Sequence, residues 1–131
     1  MRNLKPFIFL VITMLLVVSC EEDMFGPGSY AGRWDVTEYN ADFEPMSFNS
    51  VIEYIPGDST RILIGNFSGL GQEYKVESDI AGNDLTIPFQ TINGNGGRFS
   101  VTGSGKASSN MRKIDWVYKV DGEDFTAIFE K

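Results

Sequence analysis

Apolar and polar residues alternate in short runs along most of the chain, and turn-forming residues separate the runs. From Tyr30 to Thr37 (YAGRWDVT), Trp34 and Val36 share one face while Arg33, Asp35 and Thr37 share the other, the period-two signature of a half-buried strand. Phe48 to Ile55 repeats it, with Phe48, Ile52 and Tyr54 on one parity, before Pro56-Gly57-Asp58 turns the chain. Arg61 to Phe67 (RILIGNF) is apolar on both parities, which predicts a strand covered on both sides. After the Ser68-Gly69-Leu70-Gly71 loop, Tyr74, Val76 and Ile80 alternate with Lys75, Glu77 and Asp79, and Gly82-Asn83-Asp84 turns again. Leu85, Ile87 and Phe89 then alternate with Thr86, Pro88 and Gln90. Proline has no N–H to give a ladder, so near Pro88 this strand is expected to be an edge, bulged, or paired on one side only.

Phe99 and Val101 open a weaker strand inside the Gly- and Ser-rich stretch from Asn93 to Asn110. Ile114, Trp116, Tyr118 and Val120 lead through Asp121-Gly122 into Phe125, Ala127 and Phe129. An Asp-Gly pair between alternating runs is a strong hairpin signal. The pattern thus predicts about eight strands joined by short turns and no amphipathic helix. Residues 30–131 are read as one all-β domain. Eight antiparallel strands in chain order close most economically into an up-and-down eight-stranded β-barrel, with a two-sheet β-sandwich as the alternative.

The first residues break this pattern. Arg2 and Lys5 precede Phe7 to Val18 (FIFLVITMLLVV), a run too short for the roughly 20 residues that a membrane-crossing helix needs. A positive start, a short apolar core and a small residue are the order of a secretory signal peptide. Its end, Val17-Val18-Ser19-Cys20, resembles the lipobox of bacterial lipoproteins. That resemblance implies that residues 1–19 are removed and that Cys20 becomes a lipidated N-terminus. As the only cysteine, Cys20 has no intramolecular disulfide partner, and acylation gives it a role. Each buried methylene contributes ~0.8 kcal/mol, so several acyl chains hold a protein to a membrane essentially permanently. Glu21-Glu22-Asp23 resembles the acidic export signal of some Gram-negative surface lipoproteins, which places the expected site at the cell outer membrane. Residues 20–29 are read as the lipidated cysteine and a flexible acidic tether.

A second resemblance covers residues 30–131. Gly32-Arg33-Trp34 matches the Gly-x-Trp of lipocalins at the start of a first strand. The layout resembles small lipocalin-like (calycin-type) lipoproteins of Gram-negative bacteria, including Asn66-Phe67, Leu85-Thr86-Ile87-Pro88 and Gly103-Ser104-Gly105. In lipocalins the Trp closes the base of the barrel beneath an Arg from the last strand. The last run here, Asp124 to Lys131, has no Arg, and Arg112 is the candidate substitute.

Composition narrows the chemistry. Hydrophobic residues at 42% and aromatics at 13% supply a core. Nine of the 11 basic residues and all 18 acidic ones follow Cys20, so the remaining chain repels phosphate backbones and nucleic acid is not an expected partner. With no His and one Cys, the common triads, zinc sites and thiol nucleophiles cannot be assembled. Gly103-Ser104-Gly105-Lys106-Ala107 lacks the residues of a phosphate loop, Gly94 to Phe99 fails the dinucleotide pattern, and Asp121-Gly122-Glu123-Asp124 reads as a hairpin turn rather than a calcium loop. No enzymatic activity, cofactor or metal is expected. Asp35 and Asp115 alternate with the aromatic face and are expected in solvent. An enzymatic reading would need Glu38, Asp35 or Asp115 in a cleft.

What remains is binding. Trp34, Tyr54, Tyr74, Trp116 and Tyr118 form an expected inward stripe whose rings combine apolar area with polar tips. Glu38 shares parity with Trp34 and Val36 and falls near one mouth, and the same argument turns Arg112 inward with Trp116 and Tyr118. A Glu38–Arg112 pair at one end of the interior follows as an expectation. The leading reading is a monomeric, lipid-anchored envelope module that holds a small apolar or amphipathic ligand in or at the barrel mouth. The alternative is a structural or interaction lipoprotein with a filled core, docking onto another envelope protein through its outer surface and the Ser68–Gly71 and Gly94–Gly97 loops.

Overall fold

A computed structural model describes residues 29–131. The expectations for the signal peptide, Cys20 and the acidic tether lie outside the described residues. Within 29–131 the chain forms eight strands in one closed, antiparallel up-and-down barrel: β1 (Gly32–Tyr39), β2 (Pro45–Ile55), β3 (Asp58–Ile64), β4 (Val76–Ala81), β5 (Asp84–Gly94), β6 (Gly97–Ala107), β7 (Lys113–Val120) and β8 (Glu123–Glu130). Pairing of Asp35–Tyr39 with Thr126–Glu130 joins β1 to β8 and closes the barrel, a solution that leaves no free sheet edge. The sandwich alternative is thereby set aside, and the architecture is compatible with a lipocalin-like fold. Every strand finds both neighbours within 29–131, so this segment holds the pairing and the core needed to fold alone.

Two-residue turns carry four of the hairpins, β2–β3, β4–β5, β5–β6 and β7–β8. Asp121-Gly122 joins Val120 to its partner Glu123 with both turn residues at positive φ, 50° and 83°. That geometry matches the twist of the flanking strands, and glycine adopts it without steric cost. The base of the barrel holds the start of β1, the end of β8 and the β2–β3, β4–β5 and β6–β7 turns. The opposite end, the mouth, is spanned by the β1–β2, β3–β4, β5–β6 and β7–β8 connections.

The interior is filled by side chains. Trp34 and Trp116 flank Phe129, with ring centroids 6.4 Å and 5.8 Å away, and all three are buried. Gly103 and Gly105 of β6 pair with Tyr118 and Trp116 of β7, and a Cβ on Gly105 would lie 2.6 Å from the Trp116 ring. Gly105 leaves room for the Trp116 ring to lie across β6, and Gly103 leaves room for the close approach of the β7 backbone and Cβ at Tyr118. Trp116 Nε1 finds no acceptor among the described residues, so apolar burial and shape hold this ring in place.

The Pro88 expectation resolves as a bulge: the β5–β6 register shifts between Ile87 and Gln90. An extra residue in a strand reverses its parity, so Ile92 becomes the next buried residue and Phe89 is 73% exposed, which corrects the expectation that Phe89 points inward. Backbone pairing of β4 with β5 reaches only Asp79–Thr86. Beyond it, the Gln90 side chain stands in for a strand neighbour: its Oε1 accepts from Glu77 N–H at 2.9 Å and its Nε2 donates to Glu77 O at 2.9 Å. Leu63, the outward apolar residue of β3, is only half-buried, so that strand is covered less fully on its outer side than its sequence predicts.

Candidate functional site

Alternation along β1 turns Trp34, Val36 and Glu38 inward, and Glu38 is the last of them, at the mouth. Its side chain is only 3% exposed. The β3–β4 connection closes over it in a short 3₁₀ turn, Phe67–Gly69, with Asn66 and Ser68 in left-handed conformations at φ 50° and 55°. Asn66 suits that conformation and ties the turn down, donating to Asn49 O at 2.8 Å and accepting from Gly71 N–H at 2.9 Å. The turn seats the Phe67 ring against Tyr118, 4.6 Å between centroids, and brings Ser68 to the carboxylate.

Ser68 Oγ donates to Glu38 Oε2 at 2.6 Å, and the Tyr118 hydroxyl donates to the same oxygen. Among the described residues Oε1 receives no hydrogen bond, yet it is not sealed off, since Glu38 lines the floor of the mouth cleft. No lysine or arginine among the described residues forms an ion pair with Glu38. Burial of a carboxylate without a counter-charge costs several kcal/mol, and two charge-assisted hydroxyl bonds offset part of that. Burial, and next the adjoining Glu38 carboxylate, push the Tyr118 phenol far above its ordinary value, so it stays a protonated donor.

The cleft above Glu38 has a volume of about 320 Å³. Met46, Leu70, Phe99, Val120 and Phe125 make its walls, and Asp121 and Glu123 stand at its rim. Phe99 arrives on the β5–β6 hairpin, whose tip beyond Gln90 and Val101 pairs only with itself. Tyr74 holds that tip in place: its hydroxyl donates to Gly97 O at 2.9 Å, and its ring packs edge-on to Phe99 at 5.4 Å. Asp121 ties the tip to the β7–β8 turn by accepting from Ser100 N–H at 2.8 Å. A larger groove of about 550 Å³ runs along the outer wall past Leu63, Lys75, Glu77 and Phe89, but no buried polar group faces it.

Of the residues expected at a site, the structure brings Glu38 and Tyr118 together at the mouth and puts Tyr74 under the hairpin tip, against Phe99. Trp116 and Trp34 lie deeper, in the packed interior and at the base. Tyr54 is also at the base, half-buried, where its hydroxyl accepts from Tyr30 N–H at 3.2 Å. Arg112 is exposed in the β6–β7 connection at the base, so the expected Glu38–Arg112 pair does not form: the two residues sit at opposite ends of the barrel. Parity fails for Arg112 because it precedes β7 and need not follow that strand's alternation. Nor does Arg112 cover Trp34. That place is taken by Lys131, whose Nζ stands 4.6 Å from the centre of the Trp34 ring.

Sequence reasoning missed Ser68 as a partner of Glu38 and the walls made by Met46, Leu70, Phe99, Val120 and Phe125. Ser68 sits in a segment whose only local signal is that of a turn. Comparison with known proteins finds no matching family model, curated protein or solved structure.

Proposed function

We propose that this protein is a lipid-anchored module of the Gram-negative cell envelope that binds a small amphipathic ligand at the mouth of its barrel. Glu38 carries the reading. A buried carboxylate held by two neutral hydroxyls, with one oxygen left toward an apolar-walled cleft, is a polar group placed for something outside the core. The packed aromatic interior supports a ligand at the mouth rather than one deep in the barrel. The lipobox-like Val17-Val18-Ser19-Cys20 supports the anchor.

The test is expression of the full chain in a Gram-negative host. Acyl mass on Cys20 and its loss from the membrane fraction in Cys20→Ser are the expected results for the anchor; an unmodified Cys20 overturns it. Native mass spectrometry of the released protein then reads the ligand, whose extra mass is expected to vanish in Phe99→Ala.

The second reading, docking onto an envelope protein, has an observation of its own. Phe89 is 73% exposed beside Pro88 and half-buried Leu63, an outward aromatic that the bulge produces and nothing among the described residues covers.

A further inference from the structure

Resting on the mouth as the binding site, we propose that the ligand it selects is a cationic amphiphile: an ammonium group on a short apolar body, with the ammonium on Glu38 and the body between Leu70, Phe99 and Phe125. Three features converge on this chemistry. First, the two donors to Glu38 meet on Oε2, so Oε1 is the acceptor that remains for a ligand, and an ammonium is a pure donor. Second, the charge around the cleft has one sign. Asp121 and Glu123 rim it, and Lys119, on the neighbouring strand end, is engaged by Asp124 at 3.3 Å. An anionic ligand would meet like charge with no compensating donor, whereas a cation supplies the counter-charge that buried Glu38 lacks. Third, the walls include two aromatic rings, Phe99 and Phe125, whose faces attract a desolvated cation.

Size limits the body. A cleft of about 320 Å³ lies at the small end of the roughly 300–1,000 Å³ usual for small-molecule sites, which fits a chain of octyl length better than a long lipid tail. The hydroxyls of Ser68 and Tyr118 hold the carboxylate in place before the ligand arrives, so little ordering remains to be done on binding.

The experiment is calorimetric titration of residues 21–131 with three probes of equal length: octylamine, octanol and octanoate. Octylamine is expected to bind at least tenfold more tightly than octanol, and octanoate more weakly than octanol. Raising the salt concentration is expected to narrow the gap between octylamine and octanol. Glu38→Gln, which keeps the side chain's shape, is expected to bring octylamine down to the level of octanol. Equal affinity for the three probes in the wild-type protein overturns the cationic assignment without recourse to any variant. If octanol still binds and Phe99→Ala abolishes that binding, the mouth site itself stands. No binding of any probe overturns both.

Discussion

Lys131 Nζ stands over the Trp34 ring, 4.6 Å from its centre, and donates to the carbonyls of Ser29 and Ala31 at 2.9 Å each. One cation thus fastens the last residue of the chain to the segment that enters β1, while Trp34 Nε1 donates to Tyr30 O at 2.8 Å beneath it. This is the closure that the Gly-x-Trp resemblance assigned to an arginine, carried out by a lysine just past the end of β8. Lys131→Met keeps the apolar stem and removes the charge. It is expected to cost about 1–2 kcal/mol, seen as a lower urea midpoint at unchanged slope. Arg112→Ala is expected to cost far less, because its backbone carbonyl, not its side chain, accepts from Lys131 N–H.

Gly105 makes a sharper test of packing. A methyl at this position would lie 2.6 Å from Trp116 ring carbons, so either the ring or the strand must move. Gly105→Ala is expected to destabilise by about 1–3 kcal/mol and to change the near-ultraviolet tryptophan circular dichroism. An unchanged melting temperature would show that Trp116 is free to shift.

At the bulge, the Gln90 amide takes the place of a backbone neighbour for Glu77. Gln90→Ala leaves that N–H and carbonyl without their partner at the point where β4 and β5 have already separated. The expected cost is about 1–3 kcal/mol, with hydrogen exchange of the Glu77 amide accelerated more than that of Asp79, whose strand neighbour Thr86 remains.

Tyr118 predicts an alkaline limit. Its folded-state pKa is raised above the ordinary value of 10.0, first by burial and then by Glu38, so above about pH 10 the unfolded chain loses a proton that the folded chain keeps. Stability attributable to Tyr118 is therefore full below pH 10 and falls above it, by up to about 1.4 kcal/mol per pH unit. Tyr30, raised chiefly by burial, acts in the same direction, and Lys131, lowered by burial and Arg112, acts in the opposite one. Denaturant unfolding between pH 9 and 11 is expected to show a shallower loss in Tyr118→Phe than in the wild-type protein. Parallel curves would remove Tyr118 as the cause.

The strands were legible in the sequence because a half-buried strand writes its two faces into alternate residues. Trp34, Val36 and Glu38 on β1, and Ile114, Trp116, Tyr118 and Val120 on β7, are buried as their parity requires. Asp35 and Asp115 point to solvent for the same reason. Parity lost its force at Phe89, where one inserted residue reverses every later position, and at Arg112, which lies ahead of the strand whose alternation was extended to it.

The sequence by itself determined the eight strands, their turns, the inward face and the presence of one acidic residue on it, because these depend on interactions between near neighbours in the chain. Only the tertiary structure decided what meets at the ends of the barrel. Ser68 reaches Glu38 across 30 residues and Tyr118 across 80, while Lys131 meets Ala31 across 100. Those contacts come from closing β8 onto β1 and folding the β3–β4 connection over the mouth. No periodicity encodes them, because alternation along a strand says which face a residue takes and not which distant residue it meets, and Ser68 and Lys131 lie outside any strand.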